Sequence, residues 1–195
     1  MLAVVPQLLW DQGSFESERA LLIEAGKVAG TCARSAIPRE ADTEEWGNVA
    51  LMPGTVNAHG HSFQNLLKGF ADDRSFDSWR DDVLYPFSDK LDADGIYAGA
   101  LFAFSEALLA GITTTVDFFY LHDHGNDNAE RVITAAHDAG IRLVFARTFY
   151  DIDAQTRAPS RYRESRDEAA ARCLELARRH ATDTMVSVQP APHSL

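Results

Sequence analysis

Two histidines separated by a single glycine are the residues of this sequence best suited to metal chemistry. His59 and His61 follow a short apolar run at residues 55–58 that is typical of a β-strand. Side chains two positions apart on a strand point to the same face, so both imidazoles are expected to reach one ion. Neutral imidazole binds zinc, iron and similar metals. The spacing alone is weak evidence, because a chain with seven histidines forms such pairs by chance.

The same spacing occurs again at His122 and His124, in a predicted loop after a strand. We interpret this pair as solvated loop residues, or as residues that lie behind metal ligands, and not as ligands themselves. Asp117 lies on the preceding strand. It either supports a metal site or forms hydrogen bonds for structural reasons, and the sequence leaves both interpretations open.

The first fifty residues have the pattern of a small β layer. Residues 20–24 and 27–32 are short apolar runs joined by Ala25-Gly26, which predicts a β-hairpin. Residues 49–52 form another short predicted strand, and the polar, turn-rich residues 35–47 are predicted to be a loop. We therefore expect an N-terminal β domain at residues 1–52.

From Pro53-Gly54 onward, predicted strands and helices alternate. The strands are at residues 55–58, 112–120, 142–149 and 185–191, and the helices between them are at residues 91–110, 128–139 and 165–181. Asp92 and Gly111 are the expected start and stop of the first helix. This alternation implies parallel strands with right-handed crossovers. It predicts an α/β domain at residues 53–195, either doubly wound or part of a (β/α)8 barrel.

The composition is that of a globular protein, with 46% hydrophobic and 24% charged residues. The net charge of −11 disfavours nonspecific binding to nucleic acid or to anionic membranes. No apolar run is long enough for a membrane span. Cys32 and Cys173 form no local motif, so we expect reduced thiols in a cytoplasmic protein.

The segment from Leu51 to His61, Leu-Met-Pro-Gly-Thr-Val-Asn-Ala-His-Gly-His, resembles the signature that opens the barrel in the amidohydrolase superfamily. There, a Pro-Gly turn leaves a β layer and the first barrel strand ends in His-x-His. The resemblance covers nearly the whole chain. It implies the first half of a (β/α)8 barrel, with about four βα units, after a β layer that belongs to a composite β-sandwich. It also implies that His59 and His61 bind one divalent metal ion, zinc or, alternatively, iron.

Within that superfamily the chain resembles the deaminase and chlorohydrolase branch, and two groups of enzymes share its motifs. Formiminoglutamate deiminase resembles it at residues 61–64, 75–80, 118–122 and 193–195. The triazine hydrolase and nucleobase deaminase group resembles it at residues 57–64, 111–117 and 190–193. The resemblance therefore leaves the small-molecule substrate open between formiminoglutamate and a triazine or nucleobase.

By the first of these resemblances, four residues would contact the substrate: Gln64, Arg80, Tyr120 and His193. Arg80 would pair with a substrate carboxylate in a bidentate fork. Each residue also has a plainer interpretation. Gln64 would cap the following helix, Arg80 would lie on the surface, Tyr120 would only pack, and His193 would contact the metal.

The resemblance places the remaining metal ligands, a histidine on strand five and an aspartate on strand eight, beyond Leu195. The glutamate and histidine that move protons would also lie there, so the catalytic residues are unknown. We expect the chain alone to be an inactive N-terminal fragment that forms a homo-oligomer or joins a complementing C-terminal half. The alternatives are a non-catalytic barrel remnant that acts as a partner or scaffold, and a doubly wound domain with an incidental histidine pair.

Overall fold

A computed structural model describes residues 1–151 and 157–193 of the chain. The chain divides into two compact units, Met1–Pro53 and Gly54–Leu195. No helix of the described ranges is long and apolar enough to cross a membrane.

The first unit is a five-stranded mixed sheet. Its strands are β1 (Leu2–Asp11), β2 (Ser14–Glu16), β3 (Arg19–Glu24), β4 (Lys27–Ala33) and β5 (Asp42–Leu51). The order is β2-β1-β3-β4 with antiparallel pairing, and β5 pairs with β1 in parallel. The predicted hairpin is confirmed, with Ala20 opposite Cys32. Its turn residues, Ala25 and Gly26, have positive φ values of 49° and 74°.

Strands β1, β2 and β5 of this sheet differ from the expectation, and β2 was not predicted. The prediction of a loop at residues 35–47 is wrong in its second half, because β5 begins at Asp42. The predicted strand at 49–52 is only the end of β5, and β1 was not predicted. The residues of β5 are exposed along almost its whole length. It therefore has no alternating pattern and forms through backbone pairing with β1, from Leu2 opposite Asp42 to Leu9 opposite Leu51.

The second unit contains a four-stranded parallel sheet in the order β6-β7-β8-β9. The strands are β6 (Thr55–Gly60), β7 (Ile112–Phe119), β8 (Arg142–Phe149) and β9 (Val186–Pro192). Two short helices follow β6, α1 (Phe76–Trp79) and α2 (Tyr85–Lys90), and the longer helices are α3 (Ala93–Leu109), α4 (Asp127–Ala139) and α5 (Arg166–Arg179). The alternation of strands and helices is thus confirmed, and it is the α/β arrangement expected.

Local chemistry sets the ends of these helices. The Asp92 carboxylate accepts the Gly95 N–H at 2.8 Å, so Asp92 caps α3 as predicted. Gly140 ends α4 in the left-handed conformation, with φ at 79°. Ser165 and Glu168 form a capping box at the start of α5. These caps determine where α3 and α5 begin and where α4 ends.

The Pro-Gly turn before β6 requires a glycine at position 54 for steric reasons. A Cβ atom at this position would lie 2.3 Å from the Thr113 side chain on β7. The neighbouring backbone donates a hydrogen bond across the same junction, from Thr55 N–H to the Gly111 carbonyl at 2.9 Å. The absent side chain therefore lets β6 lie directly beside β7.

The core of the second unit is mainly apolar and contains a buried ion pair. Ile96, Ala100 and Phe104 of α3 pack with the residues of β7 and β8 in one cluster. Arg147 on β8 and Glu164 are fully buried together, with the closest contact at 2.6 Å. All four strands run parallel, so their carboxyl ends meet at one edge of the sheet, where functional residues of such folds gather.

Candidate functional site

Aromatic and histidine side chains stand where the four parallel strands end. His61 follows β6, Tyr120 follows β7, Tyr150 follows β8, and His193 follows β9. The ring centroids of His61 and Tyr120 are 5.6 Å apart, and those of Tyr120 and Tyr150 are 5.5 Å apart. The rings of Tyr150 and His193 stack at 3.7 Å. The sheet therefore brings these side chains into one cluster.

The imidazoles of His59 and His61 converge at this edge, with their Nε2 atoms 3.2 Å apart. The Nδ1 atom of His61 lies 2.8 Å from the Phe118 carbonyl oxygen. A carbonyl oxygen only accepts, so Nδ1 of His61 carries the proton and Nε2 holds a lone pair. Burial lowers the pKa of His61, although the hydrogen bond to Phe118 opposes this, and the ring is neutral at pH 7.

The spacing of the two nitrogens fits a shared metal ion. Two ligands at the usual zinc–nitrogen distance in a tetrahedral site lie about 3.3 Å from each other. The observed 3.2 Å matches that separation. Without metal, one ring would donate its proton to the other across the same distance. Within residues 1–151 and 157–193, no group of three or more His, Cys, Asp or Glu residues is placed to hold a metal. The two rings thus present two nitrogen atoms at a spacing that one ion could bridge.

An irregularity in β6 accompanies this convergence. The pairing of β6 with β7 shifts register between Asn57 and Gly60. The Asn57 side chain accepts the His59 N–H at 3.3 Å inside this irregular stretch. A Cβ atom at Gly60 would lie 3.1 Å from the Asn57 amide nitrogen, so the stretch is tightly packed. Strict strand alternation is therefore not the whole reason why the two rings face each other.

Asp117 holds the backbone next to His61. One carboxylate oxygen accepts the Ser62 N–H at 2.6 Å, and the other accepts the Ser62 hydroxyl at 2.7 Å. The side chain is only 1% exposed. Burial raises the pKa of Asp117 to about 6, and the hydrogen bonds from Ser62 limit the rise. The sequence left open whether Asp117 is structural or supports a metal site. In the structure its hydrogen bonds go to the residue that follows His61.

A pocket of about 570 Å³ opens beside the histidine pair, and His61, Gln64, Arg80, Tyr120, Tyr150 and His193 are among its lining residues. The Gln64 amide donates to the Tyr120 hydroxyl at 2.6 Å. The helix that follows, α1, is capped by the Ser75 side chain and not by Gln64, which argues against the capping interpretation. Tyr120 is buried, and its pKa is raised by burial. Ser194 and Leu195, which complete the motif that begins at His193, lie outside the described residues.

Arg80 lines the pocket but already has anionic partners. Its Nη1 atom lies 2.8 Å from Asp77, and its Nε atom lies 2.8 Å from Asp81. Asp81 also pairs with Arg157 at 2.8 Å. A substrate carboxylate would have to compete with these two aspartates for the guanidinium of Arg80.

Tyr150, Asp81 and Arg157 are among the pocket residues that were not anticipated. Tyr150 follows β8 directly, just as Tyr120 follows β7, so the rule that functional residues gather at strand ends would have found it. The Asp81–Arg157 pair joins residues 76 positions apart. No local pattern in the sequence signals such a pair.

The interpretation of His122 as solvated is wrong. The residue is 1% exposed, and its Nε2 atom donates to the Thr148 carbonyl at 2.7 Å. Burial, together with the charge of Arg147, lowers the pKa of His122 to about 3. His124 is exposed, as expected for a loop residue. The apolar side chains around the loop, rather than the loop's polar sequence, determine the burial of His122.

Comparison with known proteins places these observations among relatives. The model of the amidohydrolase family matches residues 50–195. The 5'-deoxyadenosine deaminase of Methanothermobacter thermautotrophicus is 31% identical over 195 residues, which is 100% of this chain and 42% of the relative. The 5-methylthioadenosine/S-adenosylhomocysteine deaminase of Symbiobacterium thermophilum is 32% identical over 149 residues, 75% of this chain and 33% of the relative. The chain thus spans less than half the length of these curated relatives.

Solved structures share the fold. The atrazine chlorohydrolase TrzN from Arthrobacter aurescens TC1, solved in complex with zinc, superposes with a TM-score of 0.86 at 22% identity. The match covers 100% of this chain and 47% of that protein. This similarity supports the barrel type of α/β fold over a doubly wound sheet.

Proposed function

The chain belongs to the amidohydrolase family, and from that premise we propose that it forms the metal-binding N-terminal part of a deaminase or deiminase. Such an enzyme hydrolyses non-peptide carbon–nitrogen bonds with metal-activated water. The observation that carries the proposal is the approach of the His59 and His61 Nε2 atoms to 3.2 Å at the end of β6. Zinc is the expected ion, with iron as the alternative.

The roles of the chain's own residues follow from their positions. His59 and His61 would hold the metal, which when bound supplies a water of lowered pKa as the nucleophile. His61 presents its Nε2 lone pair because the Phe118 carbonyl accepts the proton on Nδ1. Gln64, Tyr120 and His193 line the pocket beside the pair and are proposed to contact the substrate.

We propose a planar, cyclic amidine as the substrate, and thus the triazine or nucleobase class rather than formiminoglutamate. The stacked rings of Tyr150 and His193, with Tyr120 next to them, offer aromatic faces to a flat ring. Asp77 and Asp81 already neutralise Arg80, the residue expected to bind the carboxylate of formiminoglutamate. The relatives from Methanothermobacter thermautotrophicus and Symbiobacterium thermophilum carry the names of deaminases of adenosine derivatives.

We further propose that this chain alone is inactive. Its described residues offer two imidazoles, whereas catalytic zinc sites usually have three protein ligands. The missing groups would come from a complementing C-terminal half, and a homo-oligomer remains a prediction, as does a cytoplasmic location. With zinc added, ammonia release from adenosine derivatives should stay at the background without protein. Turnover typical of a complete deaminase would contradict this proposal.

A zinc titration followed by NMR of the histidine side chains tests the proposal. Zinc is expected to shift the ring signals of His59 and His61 before those of His137, an exposed histidine that pairs with Asp183 at 2.9 Å. The substitutions His59→Ala and His61→Ala should each weaken zinc binding at least tenfold, because one ligand is lost from a two-ligand site. The matched control, His137→Ala, should leave the affinity unchanged. Equal zinc affinity in all three variants would rule out the proposed metal site.

A further inference from the structure

We propose that Asp117 is a positioning residue that sets the metal affinity of the histidine pair by fixing the backbone after His61. This inference rests on the proposed metal site. It adds a residue that is not among those lining the pocket and that acts through Ser62.

The contact between Asp117 and Ser62 uses both oxygens of the carboxylate. Asp117 Oδ1 accepts the backbone N–H of Ser62 at 2.6 Å, and Oδ2 accepts the hydroxyl of the same residue at 2.7 Å. Both residues are buried, with Asp117 1% and Ser62 5% exposed. Two charge-assisted hydrogen bonds to one residue in a buried place restrict both its position and its orientation.

A second contact from the same strand restrains the histidine itself. Phe118, the neighbour of Asp117 on β7, accepts the Nδ1 proton of His61 through its carbonyl oxygen at 2.8 Å. Residues 117 and 118 therefore hold residues 61 and 62 at two points, one on the imidazole and one on the following peptide. Together these contacts restrain both the backbone position of His61 and the orientation of its imidazole ring.

The register of the sheet explains why this restraint is needed. Pairing between β6 and β7 is irregular from Asn57 to Gly60, and Gly60 lies opposite Asp117 where it resumes. His61 comes just after β6 ends, so the ladder of the sheet does not hold it. The side chain of Asp117 takes over this function at the point where regular backbone pairing stops.

The physical consequence is an effect on metal binding. Groups that orient metal-binding histidines typically change the metal affinity by 10- to 100-fold when they are removed. The Nε2 atoms of His59 and His61 stand 3.2 Å apart, close to the spacing that one ion requires. If the peptide after His61 moves, this spacing is lost in part of the population, and the free energy of binding decreases.

The test compares zinc affinity and the His61 tautomer in the 195-residue chain and its variants. Asp117→Asn keeps the shape but removes the charge, and Ser62→Ala removes only the hydroxyl donor. Each is expected to weaken zinc binding about tenfold. The double variant should lose no more zinc affinity than the weaker-binding single variant, because both substitutions disrupt the same contact between Asp117 and Ser62. In metal-free protein, the nitrogen NMR signals of His61 should move toward a mixture of tautomers.

Asn128→Ala is the matched control for a general loss of stability. Asn128 is also a buried polar residue near the end of β7, and its amide donates to the Leu121 carbonyl at 2.8 Å. This variant should keep the zinc affinity and the His61 signals. If Asp117→Asn does not fold, Ser62→Ala decides alone.

The outcomes separate the two proposals. If the unaltered chain does not bind zinc through His59 and His61, the proposed metal site fails and this inference fails with it. If the chain binds zinc there, but folded Asp117→Asn or Ser62→Ala binds it within twofold of the parent and keeps the His61 signals, only the inference is overturned.

Discussion

Burial lowers the pKa of His61, His122 and His193 in the second unit. Removal from water lowers the pKa of His61 and of His193, and it lowers the pKa of His122 to about 3. A neutral imidazole is the form that binds a metal, so the half-buried position of His61 suits the role proposed for it. His122 is neutral because burial and the nearby charge of Arg147 disfavour its charged form, although its hydrogen bond to the Thr148 carbonyl opposes this effect.

The low pKa of His122 predicts sensitivity to acid. The unfolded imidazole titrates near 6.5 and the folded one near 3, so between these values the unfolded state binds more protons. The free energy of unfolding therefore decreases as the pH falls from 6.5 toward 3. His122→Gln retains a donor for the Thr148 carbonyl but does not titrate. Urea denaturation at several pH values between 7 and 4 should show a shallower loss of stability in this variant.

The exposed neighbour of His122 provides the control for this measurement. His124→Gln also removes one imidazole, but from the surface, and should keep the pH dependence of the parent. An unchanged slope in His122→Gln would mean that burial of His122 does not contribute to acid sensitivity.

At the scale of single residues, short-range patterns could predict some of the site and not the rest. The spacing of His59 and His61, together with the Pro-Gly signature before them, predicted that the two rings converge, and the family motifs pointed to Gln64 and Tyr120, which line the pocket. The contacts of Arg80 with Asp77 and Asp81, and of Asp81 with Arg157, could not be found, because they depend on how distant segments pack. Burial of His122 likewise depends on tertiary packing.

At the scale of the elements, the buried pair of Arg147 and Glu164 links β8 to the segment before α5. Glu164 contacts Arg147 at 2.6 Å and also pairs with Arg172 on α5. Burial alone would raise the pKa of Glu164, but the hydrogen bonds from Arg147 lower it below its usual value. The carboxylate is thus ionised at pH 7 and balances the buried guanidinium.

Loss of that charge should be strongly destabilising. Glu164→Gln leaves Arg147 buried without its counter-charge, which typically costs about 3–5 kcal/mol of unfolding free energy. Glu175→Gln is the matched control, since Glu175 pairs with Arg179 on the exposed surface of α5. Such an exposed pair contributes little to stability, because water screens the two charges. Chemical denaturation measures both values, and similar losses in the two variants would contradict the importance of the buried pair.

The elements could be predicted where side-chain pattern and backbone pairing agree. The strands β7, β8 and β9 are rich in apolar residues and were predicted to within about two residues, and the predicted helix cap at Asp92 is present. The prediction failed for β5 because its exposed side chains carry no such pattern. Its partner β1 forms the centre of the first sheet, and this role depends on pairing with three other strands.

At the scale of the whole molecule, the alternation of strands and helices is compatible with both a doubly wound sheet and a barrel. The signature around His59 and His61 favoured the barrel, and the superposition on a zinc-containing amidohydrolase with a TM-score of 0.86 agrees with it. The division of the chain between a β unit and an α/β unit falls at Pro53 and Gly54. Sequence pattern could not determine the pocket, since its walls come from the ends of four strands and the segments between them.

The most direct measurement of the central claim is anomalous X-ray scattering at the zinc edge from crystals of the chain grown with zinc. The account predicts that the strongest anomalous peak contacts the Nε2 atoms of both His59 and His61. A strongest peak at another place, for example beside His137 and Asp183, with none at the histidine pair, would contradict it.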